Sequence, residues 1–168
     1  MATKTSLKKV LLLVLTVSAL CSCTDYSKIR FSDFRVNSVD SLRYSLTDMR
    51  GIVHSVLTVD NPYFAMTLND FEAAVVSPEG SSILEVSMYE GTVLQVAAKD
   101  VTELEAPLRV HVSNPLSLLA RGLDAVQDMG KEGYVVNYSL SVAKGNGTRY
   151  HKISKKNVPL DSFIKTEE

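Results

Sequence analysis

The feature that most limits what this chain can fold into is a period of two. Tyr134, Val136, Tyr138, Leu140 and Val142 alternate with Asn137, Ser139 and Ser141. Side chains of a strand point to opposite faces in turn, so this pattern specifies a strand with one buried and one wetter face. The same period carries Val53, Ser55, Leu57 and Val59 on one side, with Ile52, His54, Val56 and Thr58 on the other. Phe64, Met66 and Leu68 alternate, then Phe71, Ala73 and Val75. Leu84, Val86 and Met88 alternate with Glu85 and Ser87, and Leu108, Val110 and Val112 with Arg109 and His111. Ser77-Pro78-Glu79-Gly80 is a turn between two such runs, and Lys144-Gly145-Asn146-Gly147 predicts a hairpin returning over residues 149–155. Glycine and Asn tolerate the positive φ that a tight turn requires.

One segment breaks the period. Leu116, Leu119, Leu123 and Val126 are spaced as an apolar helical stripe, which predicts a helix over about 115–129. Asn114 is placed to cap it, Pro115 suits the first helical position and Gly130 the position beyond its end. The economical architecture is a mainly β, antiparallel sandwich with that helix packed across one edge or end. A chain of 168 residues, 45% apolar and 22% charged, has enough for one domain with its own core.

Residues 1–22 carry a different message. Lys4, Lys8 and Lys9 precede Val10–Leu20, an uncharged run of 11 residues. As a helix that run would be about 17 Å long, against a bilayer core of about 30 Å, so it fits a secretory signal peptide and not a stable span. Leu20-Cys21-Ser22-Cys23 resembles a bacterial lipobox, with the small residue Ser22 before Cys23. The resemblance implies cleavage between Ser22 and Cys23, diacylglycerol on the Cys23 thiol and acylation of the new amino group. Loss of 22 residues with three lysines takes the chain from a net charge of −1 to −4 and leaves one cysteine, blocked by lipid. The expected organisation is a signal peptide over 1–22, a lipidated tether over 23–28, a β domain over 29–160 and a polar tail over 161–168. The expected location is the cell envelope, held to a membrane through Cys23, with another envelope protein, a stressed membrane or an apolar molecule as the candidate partners. A net charge near zero gives no footprint for nucleic acid.

No catalytic constellation stands out. His54, His111 and His151 fall on three separate predicted strands, without metal-ligand spacing or an accompanying Cys or carboxylate cluster. No G-x-S-x-G turn precedes a helix, and the scattered aspartates Asp25, Asp33, Asp40, Asp48 and Asp60 match no calcium loop. No metal or cofactor is therefore expected. Arg149, Lys152, Lys155 and Lys156 form a basic run on the last strand, read as a solvated edge whose lysines discourage pairing; contact with anionic headgroups is the functional alternative. Asn137-Tyr138-Ser139 and Asn146-Gly147-Thr148 match the N-glycosylation pattern, and Asp40-Ser41-Leu42 resembles a short bacterial O-glycosylation motif.

The order of the pieces carries one further resemblance. Val56-Leu57-Thr58-Val59-Asp60-Asn61-Pro62-Tyr63-Phe64 is an alternating strand running into Asn-Pro-aromatic. It is followed by Leu108-Arg109-Val110-His111-Val112, a helix, Tyr134–Leu140, a glycine hairpin and Lys155-Lys156-Asn157-Val158-Pro159-Leu160. Over roughly residues 29–160 this resembles the late-embryogenesis-abundant type 2 family, the LEA14-like or WHy domain. It departs at Asp60 and in an irregular, insertion-like stretch over Ser41–Arg50. The resemblance implies a fibronectin-III-like sandwich of about seven strands with one helix, no established active site, and stress tolerance as a theme. Asn61, Pro62 and Tyr63 are its motif residues, and a structural role suffices for them, because Asn bonds nearby backbone and Pro fixes φ. The expectation is a non-catalytic, membrane-anchored binding or stress-protective module. The alternative is an envelope hydrolase or carbohydrate-active enzyme, needing two carboxylates about 5–10 Å apart in a cleft.

Overall fold

A computed structural model describes residues 30–120, 128–129 and 131–161. Among the described residues the fold is mainly β and entirely antiparallel, with eight strands. They are β1 (Arg30–Tyr44), β2 (Asp48–Asn61), β3 (Met66–Val76), β4 (Ser82–Met88), β5 (Leu94–Val96), β6 (Asp100–Ser113), β7 (Val135–Lys144) and β8 (His151–Pro159). A short helix, α1 (Pro115–Ala120), follows β6. Hydrogen bonds run through the order β1-β2-β6-β4-β3-β7-β8, with β5 on β3.

This single path encloses a core because β4 is short. It pairs with β6 only along Leu108–Val112 and with β3 along Glu72–Val76, while the other end of β3 pairs with β5. Beyond β4 the group β1-β2-β6 therefore parts from the group β5-β3-β7-β8. Their inward faces share one core, with Leu57, Val59, Leu104 and Leu108 from the first group and Leu68, Phe71, Val136 and Leu140 from the second.

The alternation fixes which side chains enter this core, and its breaks mark bulges. In β3 the buried set shifts from Met66 and Leu68 to Phe71, Ala73 and Val75, a step of three. The register against β7 shifts at the same place, between Asn69 and Glu72, and Asp70 there has a φ of 51°. An extra residue in one strand moves every later side chain to the other face, so the step of three is what keeps the apolar face inward.

The 15-residue strand β1 was not legible in the sequence as a strand of its own, for the same reason. Phe31, Phe34, Val36, Val39, Leu42 and Tyr44 are spaced 3, 2, 3, 3 and 2. Each step of three falls on one of its three register shifts against β2. The irregular stretch over Ser41–Arg50 is the end of β1, its turn and the start of β2. Val39 and Leu42 lie against the bare face of Gly51, where an added Cβ would meet Leu42 Cδ1 at 3.4 Å and Val39 Cγ1 at 3.6 Å.

Both edges of the path are blunted. The bulges of β1 interrupt a flat template, and β8 carries Lys152, Lys155 and Lys156 with Asn157 at a φ of 56°. The expected hairpin joins β7 to β8. In it Gly145 takes a φ of 59°, and any side chain on Gly147 would put a Cβ 2.8 Å from the Lys144 carbonyl oxygen.

Of the expected helix over 115–129, Pro115–Ala120 and residues 128 and 129 are helical among the described residues, as is Lys131, and the Glu132 N–H donates to the Asp128 carbonyl at 2.9 Å. Leu116, first of the expected buried stripe, is instead 48% exposed. Leu123, Val126, Gly130 and the side chain of Leu119 lie outside the described residues. Asn114 does not take the extended backbone of a helix cap. It takes a φ of 53° and donates its N–H to the Thr47 carbonyl, and this reversal buries Pro115 and turns Leu116 outward. Ser139 and Ser141, on the wetter face of β7, are nonetheless buried, since a serine has little surface to expose beside Glu72, or between Asn69 and Lys152.

The strand registers define two ends. At the first lie Arg30, Asn61, Met66, Val96, Asp100 and the β7–β8 turn; at the second lie the β1–β2 turn, the β3–β4 turn, α1 and Pro159. No helix among the described residues is long and apolar enough to cross a membrane.

Candidate functional site

The outward face of the sheet, where β4 joins the two groups, carries a polar groove of about 520 Å³. Its lining follows from the registers. One cross-strand row runs Arg109, Ser87, Glu72, Ser139, Ser154, and the next runs His111, Glu85, Ala74, Asn137. These are the residues that alternate with the core positions of β6, β4, β3 and β7. Small side chains (Ala74, Ser87, Ser139 and Ser154) leave the space, and long charged ones rim it, with Lys152, Lys155 and Lys156 on the β8 side. Arg109 stacks on Tyr89, 5.4 Å from the ring centre, and Asn137 Oδ1 accepts the N–H of Asn157 at 2.8 Å.

His111 organises one end of the groove. Its Nδ1 lies 3.1 Å from Glu85 Oε2 on β4 and its Nε2 lies 2.6 Å from Asp48 Oδ1 on β2. Arg50 Nε in turn lies 3.0 Å from the other oxygen of Asp48. With a carboxylate at each ring nitrogen, the imidazolium can donate from both, whereas either neutral tautomer would set a lone pair against an anion. The hydrogen bond to Glu85, then that to Asp48, raises the His111 pKa above its ordinary value, against the opposing effects of burial and of Arg50. The same bonds lower Glu85 and Asp48. This corrects the expectation that no carboxylate cluster accompanies a histidine. Asp48 and Glu85 are 63 and 26 residues away in sequence, and only the β2-β6-β4 pairing brings them to His111. The carboxylates sit on opposite sides of the ring and do not converge, and no group of three potential metal ligands occurs among the described residues.

The linked shifts predict a pH dependence. A raised His111 pKa contributes stability that is full below about 6.5 and is lost as pH rises through the folded value. Lowered Asp48 and Glu85 contribute stability present above about 4–4.5 and lost as pH falls through their folded values. The network is strongest between those limits. The melting temperature should therefore fall by roughly 1–4 °C from pH 6 to pH 9 on account of this half-exposed cluster, and His111→Gln should remove that part of the fall. Thermal melts of both proteins across the range check it; an unchanged slope in the variant would show the network to be idle.

The other sequence candidates stand apart from the groove. Asn61 is 0% exposed; its Nδ2 donates to the Phe64 carbonyl at 2.9 Å and the Ala97 carbonyl at 2.8 Å, and its Oδ1 accepts from the Tyr63 N–H at 3.1 Å. It ties the β2–β3 loop to the chain leaving β5, with Pro62 exposed and Tyr63 packed against the core. His54 pairs with Asp40 at 2.9 Å on the surface, and His151 is exposed at the start of β8. Asp40, Ser41 and Leu42 are exposed at a bulge of β1. Ser22 and Cys23 lie outside the described residues. The groove residues Glu72, Glu85 and Arg109 were missed as a set. Their alternation with core residues was visible, but the register that puts them in one row was not.

No protein-family model matches the chain, and no characterised protein matches it in sequence. Among solved structures it is similar to a protein from Archaeoglobus fulgidus, at 11% identity over 70% of this chain and 93% of that one, with a TM-score of 0.34. It is similar to a beta-glucuronidase from glycoside hydrolase family 2, at 9% identity over 72% of this chain and 11% of that one, with a TM-score of 0.28. It is also similar to AT1g01470 from Arabidopsis Thaliana, at 18% identity over 82% of this chain and 91% of that one, with a TM-score of 0.28. Likenesses this distant assign neither a family nor an activity.

Proposed function

We propose that this chain is a lipid-anchored envelope protein whose β domain works by binding or protection and not by catalysis. The observation that carries the reading is Leu20-Cys21-Ser22-Cys23 at the end of an 11-residue apolar run behind three lysines. Two or more acyl chains on Cys23 supply stable anchoring, at about 0.8 kcal/mol for each buried CH₂. The open polar groove supports the binding role, with hydroxyls on its floor and charges of both signs on its rim. The resemblance to the late-embryogenesis-abundant type 2 family supplies the protective theme.

The hydrolase alternative has one observation in its favour. Glu72 and Glu85 are diagonal neighbours on adjacent strands and both line the groove, so two carboxylates share one face. A general acid, however, needs a raised pKa, and His111 holds Glu85 below the usual range. The groove is better suited to holding a polar ligand.

The anchor is tested by labelling with a fatty-acid probe in a bacterial host. The parent and Cys21→Ser should carry label, and Cys23→Ser should carry none and remain unprocessed or be released. Label surviving in Cys23→Ser would sink the reading.

A further inference from the structure

Resting on the binding role just proposed for the groove, we infer that its ligand is a short acidic oligosaccharide, lying across the strands with carboxylates at its two ends and hydroxyls over the middle. The row Arg109, Ser87, Glu72, Ser139, Ser154 crosses five strands, so four strand spacings set its length at about 19 Å. That is a track for an extended chain, not a cup for a compact molecule. Its floor calls for a polar one. Ser139 is 7% exposed and lines the groove, and its hydroxyl has no hydrogen-bond partner among the described residues. A buried hydroxyl left in that state is costly until something in the groove bonds to it. Asn137 uses its Oδ1 on the Asn157 N–H, which leaves its Nδ2 as a donor to whatever fills the groove.

The charges set the sign of the ligand. Four cations, Arg109, Lys152, Lys155 and Lys156, line the groove against two carboxylates, Glu72 and Glu85, on a chain whose net charge is −1. Glu85 is already engaged by His111, and the three lysines have no ion pair among the described residues. Arg109 stands at the β6 end of the row and the lysines at the β8 end, with Glu72 between them. An acidic peptide would run like charges past Glu72, whereas sugar hydroxyls donate to it. A neutral glycan would find no ring to stack on, because Tyr138, the aromatic residue of the lining, turns its side chain into the core. It would exchange hydrogen bonds with water for similar ones with the protein, at little net gain. Carboxylates at the two ends add charge-assisted bonds, about twice as strong as neutral ones.

The acylated full-length protein in detergent micelles is titrated calorimetrically with trigalacturonate, neutral galactotriose and triglutamate. Trigalacturonate should bind about tenfold more tightly than either of the others, and several-fold more weakly at about 0.5 M salt than at about 0.05 M. Lys152→Gln with Lys156→Gln should lose about tenfold. Ser139→Ala, which removes only the hydroxyl, should lose several-fold while melting as the parent does. Lys131→Gln, away from the groove, should bind as the parent does. Triglutamate binding equally well would overturn the glycan, and galactotriose binding equally well would overturn the need for charge. Failure of all three to bind, or unchanged affinity in both the lysine and Ser139 variants, would overturn the site, leaving the anchor and the non-catalytic reading intact. Those are read separately: shorter sugars appearing in the trigalacturonate mixture would overturn the non-catalytic role, and an intact mass without acyl chains would overturn the anchor.

Discussion

Asn61→Ala should destabilise the domain by about 3–5 kcal/mol, a large share of a total of about 5–15 kcal/mol. Asn61 is fully buried, and its amide serves three backbone groups: the carbonyls of Phe64 and Ala97 and the N–H of Tyr63. Alanine leaves all three without that partner in a place water does not reach, and each such loss costs about 1–3 kcal/mol. Asn61→Asp should be no milder despite its near-identical shape. A carboxylate can still accept from Tyr63, but it sets negative charge against two carbonyl oxygens. Denaturant melts decide the matter, and a loss below about 1 kcal/mol in both variants would mean that the loops re-pair on their own.

Leu57→Ala should cost about 2–5 kcal/mol, and Leu116→Ala should stay within about 0.5 kcal/mol of the parent. Leu57 is 2% exposed, sits opposite Leu104 of β6 and belongs to the core shared by the two strand groups. Removing its branched end leaves a cavity between layers that cannot collapse without breaking the β2–β6 ladder. Leu116 is 48% exposed and has little burial to lose. Urea melts of the two variants give the comparison directly. A marked loss at Leu116 would show that the first turn of α1 packs more deeply than its exposure implies, and a neutral Leu57 would contradict the shared core.

Period-two alternation identified β2 from Ile52, β3, β4, the second half of β6 and β7, since one apolar side chain per two residues is what a half-buried strand requires; the three-residue β5 and the first half of β6 were missed. The two successive runs, Phe64–Leu68 and Phe71–Val75, proved to be one strand from Met66 onward, broken by the bulge at Asn69–Glu72. The same rule failed in β1, where three bulges break the period and an edge position leaves most side chains exposed. Of the helical stripe only Leu116 lies among the described side chains, and it faces outward. Spacing states which residues would share a face of a helix, not whether the chain enters it in a direction that turns that face inward. The left-handed backbone at Asn114 decides that direction, and it depends on the Thr47 carbonyl, contributed by the β1–β2 turn.

By itself, the sequence determined the fold class, most strand faces, the two turns rich in glycine or proline and the lipobox-like segment. Each is set by residues within a few positions of one another, through pleat geometry, allowed φ and local chemistry. Tertiary structure alone decided the site. His111 is one polar-face residue among many until β6 lies between β2 and β4, and then Asp48 and Glu85 take its two nitrogens. The groove exists because five strands align Arg109, Ser87, Glu72, Ser139 and Ser154 in one row, and the two ends exist because all eight strands run antiparallel. Register between distant strands depends on how all the apolar faces fill one shared core, a property of the whole chain that no local spacing contains.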